Sequence, residues 1–168
     1  MQKILVSRCL LGQRVRYDGG AHGPFDQLAL WQAQGRVVAL CPEVAGGLPT
    51  PRPQAEIPGG QGAQVLDGQR AVLTIEGEDV SAAFLAGAQQ ALELVQAQGI
   101  RLAVLKARSP SCGNSENYDG SFSATRVVGE GVTAALLRRA GVQVFSEEEL
   151  PAAAAALLAL EAEAGAKQ

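Results

Sequence analysis

Leu102-Ala103-Val104-Leu105-Lys106-Ala107-Arg108-Ser109-Pro110-Ser111-Cys112-Gly113-Asn114 decides how this chain is read. Four apolar residues run directly into a loop that carries one of only three cysteines in the sequence. The same order of events occurs twice more, with Ile4-Leu5-Val6 ahead of Cys9 and Val37-Val38-Ala39-Leu40 ahead of Cys41. Short apolar runs rich in β-branched residues, separated by helix-like segments, read as parallel strands covered on both faces. The carboxyl ends of such strands line the ligand crevice. Three thiols far apart in sequence are therefore expected to meet at one edge of one sheet.

Outward from that stretch, residues 2–7, 37–40, 101–106 and 142–145 read as the strands of an α/β fold, a Rossmann-like parallel sheet flanked by helices. Residues 24–34 form a helix stopped by Gly35, residues 79–98 a longer one stopped by Gly99, and residues 131–140 a third stopped by Gly141. Asp67-Gly68 between apolar residues predicts a small antiparallel hairpin over 64–75. Three loops remain. Residues 8–23 hold four glycines and the turn sequence Tyr17-Asp18-Gly19-Gly20. Residues 41–56 are too rich in proline for regular structure, and are rigid for the same reason. Residues 107–129 make a loop long enough to suggest function. Ser146-Glu147-Glu148-Glu149 has the pattern of a capping box. The expected organisation is one domain over 1–150 and an alanine-rich helical tail over 151–168, to which no chemistry is assigned.

Composition bounds the partners. At 168 residues the chain is large enough for one ordinary core. A net charge of -3 argues against a broad nucleic-acid footprint. No apolar run approaches membrane-spanning length, and Met1 leads straight into a strand rather than a signal peptide, so a cytoplasmic protein is expected. Three cysteines cannot all pair within one chain, and a reducing compartment favours free, catalytic or metal-bound thiols. Neither a Walker P-loop nor a dinucleotide fingerprint is present.

Three convergent thiols leave three readings open. They can hold a four-iron four-sulfur cluster with one iron lacking a protein ligand. They can bind zinc, with His22 or water as the fourth ligand. Alternatively, one cysteine is a nucleophile and the others belong to the core.

Three ordered motifs narrow this choice. Ser7-Arg8-Cys9-Leu10-Leu11-Gly12 with Arg16-Tyr17-Asp18-Gly19, Cys41-Pro42-Glu43-Val44 with the glycine- and proline-rich segment 46–53, and Ser109-Pro110-Ser111-Cys112-Gly113 with Tyr118-Asp119-Gly120 resemble the thiouracil desulfurase family. The likeness continues through residues 131–137 and 144–148, and so spans about 1–150. It implies that Cys9, Cys41 and Cys112 hold an oxygen-sensitive [4Fe-4S] cluster not used for electron transfer. The open iron would bind the sulfur of a thiolated pyrimidine, water would replace that sulfur at the ring carbon, and hydrogen sulfide would leave. The expected partner is a small-molecule thiolated pyrimidine, thiouracil or a related nucleoside or nucleotide, and nucleic acid only if the thiolated base lies in RNA.

On that reading Glu43, two residues from Cys41, is the first choice for proton transfer. Its competing role is a salt bridge to Arg52. Ser109 and Ser111 are candidates to orient water or relay a proton, Ser109 being preferred, and either can instead cap a turn. Asp18 is either a polar contact in the crevice or a turn former. Lys106 and Arg108 are placed to meet an anionic or carbonyl-bearing part of the substrate, or are solvated charges. Tyr17 and Tyr118 lie in motif loops where a base could stack, whereas Trp31 reads as a core residue. Two other functions share the scaffold: a carrier that binds metal or sulfide without turnover, and a zinc hydrolase.

Overall fold

The computed structural model describes residues 1–166. Its strands are β1 (Ile4–Ser7), β2 (Val37–Leu40), β3 (Ala55–Glu56), β4 (Leu73–Thr74), β5 (Leu102–Leu105), β6 (Glu116–Tyr118), β7 (Arg126–Val128) and β8 (Gln143–Ser146). Its helices are α1 (Asp26–Ala33), α2 (Pro42–Ala45), α3 (Gly62–Leu66), α4 (Ser81–Gln98), α5 (Val132–Arg139) and α6 (Leu150–Ala166). The four strands expected from the apolar runs form one sheet in the order β2-β1-β5-β8, parallel throughout.

Alternate residues of the central strands face opposite layers, as the two-residue period of a strand requires. Ile4, Val6, Leu102 and Val104 pack with Leu28 and Trp31 of α1 and with Ala153, Leu157 and Leu160 of α6. Leu5, Ala103 and Leu105 pack with Ala91 and Val95 of α4 and Leu137 of α5. Every residue of β1 and β5 is buried, which is why these strands read as unbroken apolar runs rather than alternating ones. Strand order reverses beside β1, whose neighbours are β2 on one side and β5 on the other. A reversal of this kind opens a crevice at the carboxyl ends of the strands.

Two glycines bring α4 against the turn that follows β2. A Cβ on Gly87 would lie 1.9 Å from the Pro42 carbonyl oxygen, and one on Gly46 would lie 2.0 Å from that of Ala83. Only the bare backbones permit so close an approach, and through it the long helix fixes the segment that carries Cys41.

The structure differs from the sequence expectation at four places. Asp67-Gly68 ends α3 instead of turning a hairpin: the backbone N–H groups of Asp67 and Gly68 bond the carbonyls of Ala63 and Val65, and Gly68 takes φ +75° as the residue after a helix commonly does. The antiparallel partner of β4 is β3, on the far side of that helix. The proline-rich segment contains one helical turn, α2, because Pro42 stands at its first position, where proline's missing N–H costs nothing. The 107–129 loop contains a second ribbon, β6 paired with β7. Helix α6 forms part of the core through Ala153, Leu157 and Leu160, and Glu161 accepts hydrogen bonds from the Gln2 N–H at 2.7 Å and the Arg36 guanidinium at 2.8 Å. The last two residues of the expected tail lie outside the described residues.

Candidate active site

The crevice at the strand ends is a cavity of about 520 Å³. Cys9, Cys41 and Cys112 all line it. Cys9 follows β1 in a short helical turn, Cys41 follows β2 as the residue capping α2, and Cys112 follows β5 in a loop packed on α5. The protein as a whole is acidic, yet six cations line this cavity (Arg8, Arg16, Arg52, Lys106, Arg108 and Arg126) against two carboxylates, Glu43 and Glu56. All of these cations but Arg8 are in ion pairs, with Asp18, Glu43, Glu147, Glu148 and Glu116, so the positive field they leave in the cavity is modest.

All three thiols are free. Burial pushes the Cys9 thiol up to about 11 and raises those of Cys41 and Cys112 as well, and mutual repulsion among the cysteines adds to the effect at Cys9 and Cys112. Buried thiols so disposed stay protonated unless a positive centre takes the place of the protons, which a bound metal does outright. Ser7 ties the floor together: its hydroxyl donates to Cys112 Sγ at 3.4 Å and accepts the Lys106 N–H at 3.0 Å. Among the described residues, no three His, Cys, Asp or Glu side chains are gathered closely enough for a single metal ion. One tetrahedral zinc with bonds of about 2.3 Å would need its sulfurs within about 4 Å of one another. A cluster receives each thiolate on a different iron, so three thiols spread around one cavity fit it better than they fit one ion.

The proline-rich loop holds Glu43 in place. The Arg52 side chain, only 4% exposed, donates through Nε to Glu43 Oε1 at 3.2 Å, and through its other nitrogens to the carbonyls of Pro49 and Val15 and to Thr50 Oγ1. One guanidinium thus joins the first loop, the proline loop and the carboxylate. Burial raises the Glu43 carboxyl above the ordinary carboxylate range, while Arg52 and a hydrogen bond from Ser109 draw it partly back. The Ser109 hydroxyl oxygen accepts the N–H groups of Ser111 and Cys112, both at 3.1 Å, which leaves its proton for Glu43. Glu43 therefore meets both its expected partner Arg52 and the preferred serine.

The Cys112 loop is held from two directions. Helix α5 places its first N–H groups on loop carbonyls, Gly131 on Gly113, Val132 on Pro110 and Thr133 on Ser111, so donors that helices leave unsatisfied are used to fix the loop. Gly131 is in such close contact that a Cβ there would lie 2.3 Å from the Ser111 carbonyl carbon. From the other direction come three consecutive glutamates. Glu147 bonds Lys106 Nζ at 2.9 Å and the Ala107 N–H, Glu148 pairs with Arg108 at 2.5 Å, and Glu149 receives Asn114 Nδ2 at 2.5 Å. The expected capping box is formed: the Ser146 hydroxyl accepts the Glu148 N–H at 3.2 Å, and Glu149 accepts the Ser146 N–H at 3.0 Å. Lys106 and Arg108 are accordingly paired charges as well as lining residues.

Two candidates lie outside the cavity. Ser111 is fully buried, and its hydroxyl shares a 2.8 Å hydrogen bond with Thr133 Oγ1. Asp18 lies in a neighbouring concavity with Arg14 and His22, where its Oδ1 accepts the Gly20 N–H at 2.8 Å and shapes the turn. Trp31 is in the core, and Tyr17 and Tyr118 both line the cavity. Sequence reasoning missed Ser7, Glu56, Glu147 and Phe122. For Glu147 the capping-box motif was a usable signal; the other three depend on pairings between distant segments.

A family model described as 2-thiouracil desulfurase matches residues 4–149. The protein YbbK of Bacillus subtilis (strain 168), described as uncharacterized, is 43% identical over 147 residues, which cover 88% of this chain and 97% of that protein. The solved structure of the [4Fe-4S]-dependent thiouracil desulfidase TudS superposes with a TM-score of 0.85 at 54% identity, covering 94% of this chain and 98% of that one.

Proposed function

The chain belongs to the 2-thiouracil desulfurase family, and on that premise we propose that it is an iron-sulfur-dependent, non-redox desulfurase. The net reaction replaces the sulfur of a thiolated pyrimidine with oxygen from water and releases hydrogen sulfide. The observation that carries this reading is the convergence of Cys9, Cys41 and Cys112 on one cavity whose wall holds the Glu43–Ser109 pair. The [4Fe-4S] dependence of TudS supports the same reading.

The three cysteines would hold a [4Fe-4S] cluster and leave its fourth iron without a protein ligand. When bound, that cluster supplies a Lewis acid with affinity for sulfur, which weakens the carbon–sulfur bond and stabilises the sulfide that leaves. The remaining work belongs to side chains. Glu43 takes a proton from the attacking water, a task suited to a carboxyl that burial raises above its ordinary range. Ser109 keeps the carboxylate oriented and rigidly placed beside the Cys112 loop. Arg52 holds Glu43 at a fixed position and limits the rise. Arg8, the lining cation with no ion pair among the described residues, favours the negative charge that develops as water adds to the ring. A volume of about 520 Å³ is suited to a base or nucleoside, and three unpaired thiols suit a reducing cytoplasm.

The test is anaerobic reconstitution, iron and sulfide analysis, and turnover of thiouracil. About four irons per chain, with many equivalents of sulfide released per protein, is the expected result. Sulfide release that stops at one equivalent would make the protein a carrier, and full activity in colourless protein with zinc as its only metal would make it a hydrolase.

A further inference from the structure

The mechanism leaves one carboxylate of the cavity unused. Glu56, on the short strand β3, is 3% exposed and lines the cavity wall. Its Oε1 accepts two backbone N–H groups, from Gly120 at 2.9 Å and from Phe122 at 3.2 Å. No cation among the described residues forms an ion pair with it, and no donor among them meets its second oxygen. A carboxylate offers about four acceptor positions, and the second oxygen of Glu56, which is not among the fully enclosed unpartnered atoms, is open to the cavity that the residue lines. An acceptor is thus held ready inside a ligand cavity.

The same hydrogen bonds determine what stands beside it. Phe122 occupies the left-handed region at φ +57°, an uncommon conformation for a bulky side chain, and its N–H is the one bonded to Glu56. Its neighbour Ala124 is also left-handed, at φ +59°, and both residues line the cavity. Glu56 therefore fixes a strained turn that presents an aromatic ring and, next to it, an unused carboxylate oxygen. An aromatic face with an acceptor at its edge recognises a flat heterocycle that carries an N–H.

We infer that Glu56 determines specificity by accepting the ring N3–H, which flanks the thiocarbonyl, with Phe122 covering the ring face. This inference rests on the desulfurase reading for its substrate class. In a uracil-type ring the N3–H lies between C2 and C4, so it adjoins the sulfur whichever of those carbons carries it. A cytosine-type ring has a bare nitrogen at that position and offers Glu56 lone-pair repulsion in place of a bond. A site built to bond such a group rejects analogues that lack it far more strongly than an apolar pocket can.

The experiment is titration calorimetry of the cluster-loaded protein with uracil, 3-methyluracil and cytosine, alongside sulfide release from thiouracil. Wild-type protein is expected to bind uracil at least ~10-fold more tightly than the other two. Glu56→Gln keeps a carbonyl for the Gly120 and Phe122 N–H groups and turns an amide donor toward the cavity. Iron content and melting temperature should therefore be retained, the preference for uracil lost and the affinity for cytosine increased. Phe122→Ala should weaken all three ligands alike. Equal wild-type affinities for uracil and 3-methyluracil, or an unchanged ratio in Glu56→Gln, would overturn the inference. Sulfide release together with equal affinities would overturn it and leave the desulfurase standing. Selective uracil binding without any sulfide release would sink the desulfurase reading and leave the role of Glu56 intact.

Discussion

The floor of the cavity, where Cys9, Cys41 and Cys112 stand, hangs from the ends of three parallel strands. Its rim, with Glu56, Tyr118 and Phe122, is carried by ribbons whose strands are only two or three residues long. Beneath the floor, Ile4, Val6, Leu102 and Val104 are fully buried, so the backbone that aims the cysteines is set by close packing. The rim relies on turn hydrogen bonds, such as those that Glu56 accepts, and on backbone held in the left-handed region. On the proposed desulfurase reading, chemistry that tolerates little displacement is seated on the close-packed sheet, and substrate selection on short ribbons.

Five outcomes test this division. The largest effect is expected from replacing any one of Cys9, Cys41 or Cys112 by serine, which should remove iron binding and sulfide release together; iron analysis after anaerobic reconstitution checks it, and a fully active iron-free variant would break the comparison. Glu43→Gln should lower kcat by ~10²–10⁴-fold with iron content retained. Ser111→Ala, by contrast, should leave kcat nearly unchanged and cost about 1 kcal/mol of stability, since its hydroxyl bonds Thr133 and not the cavity. A fourth test presses on the floor from behind: Gly131→Ala forces a Cβ into Ser111 and Cys112 and should cost about 1–3 kcal/mol in urea denaturation while loosening iron retention.

The smallest effect is expected at the opposite end of the sheet. The Gln2 N–H and Arg36 hold the Glu161 carboxyl below its ordinary range. A lowered carboxyl contributes stability above its unfolded-state value and loses it as pH falls through the folded one. The melting-temperature gap between wild type and Glu161→Gln should therefore be present at neutral pH and close in acid, with turnover unaffected throughout. A change in kcat would show that the two ends are coupled.

Much of the floor was legible because its signals are local. An apolar run such as Leu102-Ala103-Val104-Leu105 declares a buried strand, and the residues just past it must lie at the sheet's edge, so the cysteines could be placed without knowing strand order. Glu43 stands out by its place beside Cys41, and Ser109 by the family resemblance; both line the cavity. The rim was illegible because its determinants are pairings across distance: Glu56 meets Gly120 and Phe122 more than sixty positions away. Asp67-Gly68 misled because a glycine with positive φ serves a helix end as readily as a hairpin turn, and the choice is made by what the preceding residues pack against. Ser111 and Ser109 look alike in the motif. Only the packing of α5 separates them, by burying one and leaving the other on the cavity.

The three glutamates that grip the Cys112 loop also bear on the order of events during synthesis. A ribosome delivers Cys9 and Cys41 early, but the loop with the third thiol is not fastened until residues 147–149 have emerged and the capping box has closed. The three-thiol floor is therefore complete only once residues 147–149 are in place, more than a hundred positions after the first two thiols have emerged.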